Sequence, residues 1–534
     1  MKKSKKLLVT ALIFSLSVGT LSACKDNKKG VSSENLEQKY SDTYPIKSET
    51  VLKWWMPVNA NLTVNADNIG KLEFAKELEK RTGVKVKYIH PAVGQSTEKF
   101  NLLIASGDLP DIVEYLWGSY PGGPQKAIDD KYIIDHTDVI KKFSPNFAKY
   151  LKENPDVDKQ SKTDDGKYFG YPLISNEKGL RTSGGIIVRQ DWLEDLGLEI
   201  PETIDEWYTT LKRFKEEKGA TAAMSFAINH ARNGAFIGAW DIIYGFYTDG
   251  NGNIKYGPAE PRYKDFLATM AKWYKEGLID SGFAINDDKT VSSNMLNGTT
   301  AVTYAGLGGG IGKWMTAKKD DPTYKLTGAK YPVLNKGDRP KFGQFTPIAQ
   351  VNSPLPAITT DCSDIELAAR LLDYAYSDEG HMLFNFGIEG LSYEIKDGYP
   401  TYTDVVKNNP DGLSMAAVLQ RYSRAGSGGG FVQDIRYLEQ YAGSPEQQSA
   451  WKNWRDTDAE KYMLPTLYIL TSEQKEYAKL GSSITTYVDE MFVKFITGVE
   501  PIEKFDEYIE KLKKMNVDRY IEIQQSAYDR YLQR

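Results

Sequence analysis

The stretch from Val51 to Pro91 reads VLKWWMPVNANLTVNADNIGKLEFAKELEKRTGVKVKYIHP, and its hydrophobic pattern decides the fold class. "VLKWWMP" is rich in strand formers and ends at Pro57, which has no amide hydrogen to extend a ladder. In "NIGKLEFAKELEKRTG", Leu72, Phe74 and Leu78 recur at near-helical spacing, and Gly83 stands where a helix would stop. "VKVKYIHP" alternates Val84, Val86 and Tyr88 with Lys85 and Lys87, the period of a strand. Strand, helix, strand opens a parallel α/β layer.

The same devices recur downstream. "IPETIDEWYTTLKRFKEE" sets Thr203 and Glu206 at capping-box spacing ahead of Trp207, Leu211 and Phe214 on one helical face. "CSDIELAARLLDYAYSDEG" places Ser363 and Glu366 likewise, with Leu367, Leu371 and Tyr374 as the buried stripe. From about Thr471 to Arg534 the pattern is helical, interrupted at Gly498 to Pro501. No internal repeat of fixed period is present.

Lys2, Lys3, Lys5 and Lys6 precede an apolar stretch from Leu7 to Val18, the anatomy of a secretory signal. A membrane span would need about 20 apolar residues. Leu21-Ser22-Ala23-Cys24 resembles the lipobox of bacterial lipoproteins. The resemblance implies removal of residues 1–23, a lipid on Cys24, and an anchor at the extracellular face of the membrane. Residues 24–48 are polar and are expected to form a flexible tether. Losing four lysines takes the formal charge from −5 to about −9, which argues against nucleic acid as a partner. Cys362, the other cysteine, is expected to be a buried small apolar residue.

"NLLIASGDLPDIVEY" (Asn101 to Tyr115), "QDWLEDLGLEIPETIDEWYTTLKRFK" (Gln190 to Lys215), "MAKWYKEGLID" (Met270 to Asp280) and "LLDYAYSDEGHMLFNFGIEG" (Leu371 to Gly390) carry a resemblance in their joint order. Together they resemble the extracellular solute-binding proteins, family 1, the substrate-capturing lipoproteins of ABC sugar importers. The length and the ending resemble the long Gram-positive subgroup that captures oligosaccharides. The resemblance implies a two-lobed α/β fold of the periplasmic-binding-protein kind, with a cleft, a hinge and a monomeric receptor read by permease subunits. It implies a first lobe from 49–185 and 330–390 and a second from 186–329 and 391–534.

Open α/β sheets hold ligands at the carboxyl ends of their strands. Past the strand in "DIVEYL" come Trp117, Gly118, Ser119 and Tyr120, which could give a sugar a flat face and hydroxyl partners. Loop or strand-exit positions also nominate Trp55, Asn59, Asn61, Trp240, Tyr244 and Trp314. Trp192, Trp207 and Trp273 sit in amphipathic helices and are expected to pack. "RYSRAGSGGGF" carries Arg421 and Arg424, which could fork the carboxylate of an acidic sugar, or could simply be surface arginines.

Enzyme chemistry has little support. "GLGGGIGKWM" has Leu307 and Trp314 where a phosphate loop needs glycine and a hydroxyl. The four histidines, His90, His136, His230 and His381, are scattered, so no transition-metal site is expected. No cofactor is implied. A calcium loop of the subgroup would follow the helix ending in "FK", where this chain reads "FKEEKGATAAMS". "DGNGNIKYGPAE" (Asp249 to Glu260) matches a calcium loop only partly, with Ile254 where the turn needs glycine. Paired carboxylates such as Asp164 and Asp165, the kind a glycosidase uses, are expected by chance in a chain with 72 acidic residues. A polysaccharide lyase using Tyr and His or Arg as base and acid is the rival class, and a peptide receptor of the same architecture is another.

Overall fold

The computed structural model describes residues 37–534, so the signal segment and Cys24 lie outside the described residues. Val51–Trp55 is central in a four-stranded sheet. Lys85–Ile89 and Ile112–Tyr115 flank it in parallel, and Leu355–Ile358 runs antiparallel along Ile112–Tyr115. Alternation along the strands sends Trp55 and Tyr115 to one face, where Phe100 from the helix Ser96–Ser106 stacks on Tyr115 at 3.6 Å. The helix Glu73–Thr82 buries Phe74 and Leu78, each worth roughly 1.5–3 kcal/mol of apolar burial.

Gly83 ends that helix at φ 72°, and a Cβ there would lie 2.2 Å from the Ile46 carbonyl oxygen. Gly83→Ala is expected to cost about 2 kcal/mol, read from the urea midpoint; an unchanged midpoint would mean that the segment at Ile46 does not dock here. His136 is fully buried in the same lobe. Its Nε2 accepts the Ile358 amide at 2.8 Å, tying the antiparallel strand to the layer behind it, and burial pushes its pKa down to about 4.

In a second sheet Gly184–Arg189 lies between Val302–Gly306 and Leu326–Gly328, antiparallel to both. Ile186 and Val188 face a core shared with the helices Ile204–Lys218, Arg262–Lys275 and Thr471–Thr497. Ile187 points the other way, toward Trp314, Trp451 and Trp454. The helix Pro445–Trp454 can lie close on this face because Gly185 and Gly328 lack side chains; a Cβ at either would come within 2.4 Å of Trp454 or Ala450. The capping box of Thr203 and Glu206 forms, and Trp192, Trp207 and Trp273 are core residues.

Among the described residues the chain passes between the lobes at about 175–184, 343–349 and 432–435, judged by which core each side joins, and it touches the first core again at Tyr468, between Met463 and Tyr477 of the second. The packing moves the expected limits. Tyr331 and Phe342 fill the second lobe's cores, so its part extends past 329. Residues 386–422 form a small cluster whose helix Met415–Tyr422 lies against helices of the first lobe, and Phe431 joins the first core. The second lobe therefore resumes only near 435.

Three further expectations need correction. The tether is not free to residue 48. Tyr40 donates to Asp364 at 2.7 Å, Tyr44 to the Arg370 carbonyl at 2.7 Å, and Ile46 enters the first core, because these aromatic and apolar groups find partners on the helix Ile365–Tyr374. That helix is capped by Asp364, which accepts the Leu367 amide, and not by Ser363, which donates to Asp111. Cys362 is half-buried against the first core.

Candidate ligand-binding cleft

The three parallel strands of the first lobe all release their chain at one edge. Val51–Trp55 leads to Met56, Pro57 and Val58, Lys85–Ile89 to His90, and Ile112–Tyr115 to Leu116. Asn352 returns beside this edge, close enough that a Cβ on Gly118 would touch its side chain at 2.9 Å. The edge borders the crossing segments, since the Gln350 amide donates to Leu173 at 2.8 Å.

In the second lobe Gly184 begins its strand opposite Gly306. Met224 bridges in parallel to Val302, and the chain then turns into the short helix Ile228–Arg232. This brings His230 against Tyr304, with ring centroids 4.7 Å apart. Both lobe edges border the crossings, which makes the space between them the candidate cleft.

A hydrogen-bonded relay fixes Tyr304. Its hydroxyl meets that of Tyr331 at 3.2 Å, Tyr331 donates to the Gly184 carbonyl at 3.0 Å, and the Gln344 amide donates to Tyr331 at 2.9 Å. Gln344 Oε1 takes the amides of Ser183 and Gly184 at 2.6 and 2.7 Å. The crossings are joined by side chains as well. Gln350 donates to Ser175 Oγ at 2.6 Å and Ser175 to Gln433 at 2.5 Å. Arg181 donates to the Thr346 carbonyl and to Glu460, with its guanidinium 3.8 Å over the Phe345 ring.

Burial lowers the pKa of His230 and of His90. His90 Nε2 accepts the Ile69 amide at 3.1 Å, so its Nδ1 is the donor to the Met56 carbonyl at 3.0 Å. Both rings are therefore neutral imidazoles at pH 7.

The residues nominated from the sequence divide sharply. Asn59, Asn61 and Ser119 lie exposed on the first-lobe edge; Asn59 also caps a short helix by accepting the Leu62 amide at 3.0 Å. Arg421 sits near them, held by Asn65 Oδ1 and, at 2.8 Å, by Asp411. Six of the other nominations are buried and are corrected, and the seventh, Tyr244, is half-buried. Trp55, Trp117, Trp240 and Trp314 are buried core residues whose rings offer no open face, with Trp117 donating to the Val113 carbonyl at 3.3 Å and Trp314 to Ser292 at 2.5 Å. Tyr120 is buried with its hydroxyl on Asp130, and Tyr244 donates to Asp489, each near 2.8 Å. Arg424 is buried and paired with Glu114 at 2.8 Å.

The sequence reading missed Tyr304, His230, Tyr331, Gln344 and Phe345. Tyr304 stands in the middle of the strand Val302–Gly306, so the strand-exit rule that nominated Trp117 does not reach it. Asp249 of the acidic loop makes a hairpin turn between Phe246–Thr248 and Ile254–Tyr256; its carboxylate accepts the Asn251 and Asn253 amides and the Asn253 side chain. Among the described residues no three His, Cys, Asp or Glu side chains converge as a metal site, and no helix is long and apolar enough to cross a membrane.

Comparison with known proteins adds a family to this geometry. A family model described as bacterial extracellular solute-binding protein matches residues 68–382. The chain is 22% identical over 564 residues to the fructooligosaccharide ABC transporter substrate-binding protein FusA of Streptococcus pneumoniae serotype 4 (strain ATCC BAA-334 / TIGR4), covering 99% of each. It is 23% identical over 458 residues to lipoprotein LipO of Bacillus subtilis (strain 168), covering 82% of this chain and 85% of that one. Among solved structures, the alginate-binding protein AlgQ2 without calcium ion matches with a TM-score of 0.70 at 25% identity, over 90% of this chain and 98% of that one.

Proposed function

The chain belongs to the bacterial extracellular solute-binding proteins, and from that premise we propose that it captures oligosaccharides in its cleft and delivers them to an ABC importer. The observation that supports the reading is that two lobe edges, each from a separate hydrophobic core, border the crossings, with a half-buried Tyr304 held by Tyr331 on one lobe and exposed amides and a hydroxyl at Asn59, Asn61 and Ser119 on the other. Aromatic faces with a few placed polar groups suit sugar rings. The name of the relative that aligns over 99% of the chain points the same way. Lipid on Cys24 would hold the receptor at the outer face of the membrane, as a monomer, with both lobes free to meet permease subunits.

No bond is made or broken in this reading. Glu114, Asp411, Glu460 and Asp489 each hold an arginine, so none of these four is a free carboxylate for glycosidase chemistry. Sugar favours the closed arrangement only to the extent that it touches both lobes.

Thermal unfolding of a soluble form beginning after Cys24, screened against oligosaccharides from fructan, xylan, mannan, starch and pectin, tests the proposal. Ligand at a hundred times its dissociation constant is expected to add about 2.7 kcal/mol, with the sugar recovered intact and a smaller radius in solution scattering. Cleaved sugar would make the protein an enzyme. Stabilisation by peptides alone would make it a receptor for another ligand, and an unchanged radius at saturation would count against closure.

A further inference from the structure

We infer that the cleft takes uncharged oligosaccharides and discriminates against uronates. This rests on the receptor reading above and adds the charge of the ligand, which fold and family leave open: one related protein is named for fructooligosaccharide and another for polygalacturonan and rhamnogalacturonan.

The argument is the state of the arginines at the two edges. On the first lobe, Arg424 is buried against Glu114 at 2.8 Å, and its other donors go to Ser427, the Gly428 carbonyl and the Met56 sulfur. Arg421 is paired with Asp411 at 2.8 Å and also holds Asn65. On the crossings, Arg181 is paired with Glu460 at 2.7 Å and donates to Thr346. On the second lobe, Arg232 is paired with Asp489 at 3.1 Å, and the same aspartate accepts the Tyr244 hydroxyl. Each of these four guanidinium groups already has a protein carboxylate beside it, while Arg455, near Gly179, lies over the Trp451 ring.

The other cations follow the same pattern. Lys341 is held by Asp241 at 2.6 Å, and Lys178 lies 3.7 Å from Glu460. His90 has both ring nitrogens engaged, and His230 packs its ring on Tyr304.

A uronate entering this cleft must displace a paired carboxylate or lose its own hydration without a counter-charge, and either is costly. Besides the paired and exposed Asp411, Glu460 and Lys178, the edges expose neutral groups: the amides of Asn59, Asn61, Asn229, Asn233 and Asn352 and the hydroxyl of Ser119. Amides and hydroxyls both donate and accept, which matches sugar hydroxyls.

Calorimetry on the lipid-free chain tests this with a matched pair. Short oligogalacturonides and their fully methyl-esterified forms share one backbone and differ in charge. Fructo-, xylo-, manno- and malto-oligosaccharides extend the neutral set. The best ligand is expected to be uncharged, with a Kd that changes less than about twofold between about 20 and 300 mM salt. The acid is expected to bind about 30-fold or more weakly than its ester. Asp411→Asn unpairs Arg421 on an exposed loop and is expected to narrow that gap by about threefold. An acid that binds tighter than its ester, with affinity falling as salt rises, overturns the inference while leaving the receptor reading in place. A gap that Asp411→Asn does not move overturns the assignment to paired arginines. Binding of peptides and of no sugar overturns both readings.

Discussion

Arg424→Ala lowers the unfolding free energy by about 3 to 5 kcal/mol, the usual cost of leaving one member of a buried ion pair without the other. The Glu114 side chain is 2% exposed and that of Arg424 5%, and Glu114 Oε2 has no other partner among the described residues. Burial raises the Glu114 pKa while Arg424 opposes the rise. Once the guanidinium is gone, the carboxyl climbs further and holds a proton in the folded state. A folded-state pKa above the unfolded value favours the fold at low pH and loses that contribution as pH rises. The variant's deficit is therefore expected to be smaller at pH 5 than at pH 8. Replacing both partners, as in Arg424→Met with Glu114→Leu, is expected to recover most of the loss. Urea unfolding at the two pH values reads all three. A single variant within about 1 kcal/mol of the parent would show that the pair is not closed as described.

The second large effect is loss of stability in acid through His136. Its folded-state pKa of about 4 lies below the ordinary 6.5 because the ring is buried. As pH falls below 6.5 the unfolded chain takes up a proton at His136 and the folded chain does not until about pH 4. Its stability contribution is thus fully present above pH 6.5 and is lost toward pH 4, by about 3 kcal/mol in total. Other groups titrate in the same window, so the comparison is with His136→Gln, which keeps an acceptor for the Ile358 amide and removes the titration. The variant should show a flatter fall in urea midpoint between pH 6.5 and 4.5. Parallel curves would place the ring's proton uptake outside the folding equilibrium.

What was legible in the sequence was local. Trp54 and Trp55 before a proline, the stripe of Phe74 and Leu78, Gly83, and the pair Thr203 and Glu206 each act within a few residues, where period and capping chemistry suffice. Asp364 took the cap expected of Ser363 because Asp111, far away in sequence, captures that serine. The site was less legible for a related reason. A tryptophan at a strand exit can face the cleft or the core, and only neighbours such as Phe100 decide that Trp117 turns inward. Arg424 lies in a glycine-rich stretch that reads as surface, yet Glu114 from a distant strand draws it inside. The lobe limits failed where segments change partner, at Tyr331, Phe342 and the 386–422 cluster.

The interleaving of the lobes has a consequence for how the chain reaches its fold. The strand Ile112–Tyr115 lacks its second neighbour until Leu355–Ile358 exists, the first core also needs Phe431, and the second needs Phe492 and Tyr520. Closing such long loops adds little to the equilibrium cost, which grows only with the logarithm of length, but it slows the search for native pairings. A chain leaving the ribosome amino-terminus first can therefore complete neither lobe before nearly all of it has been made. The two lobes are expected to acquire their cores together and late, so the polypeptide stays extended enough to be threaded through a membrane before it folds.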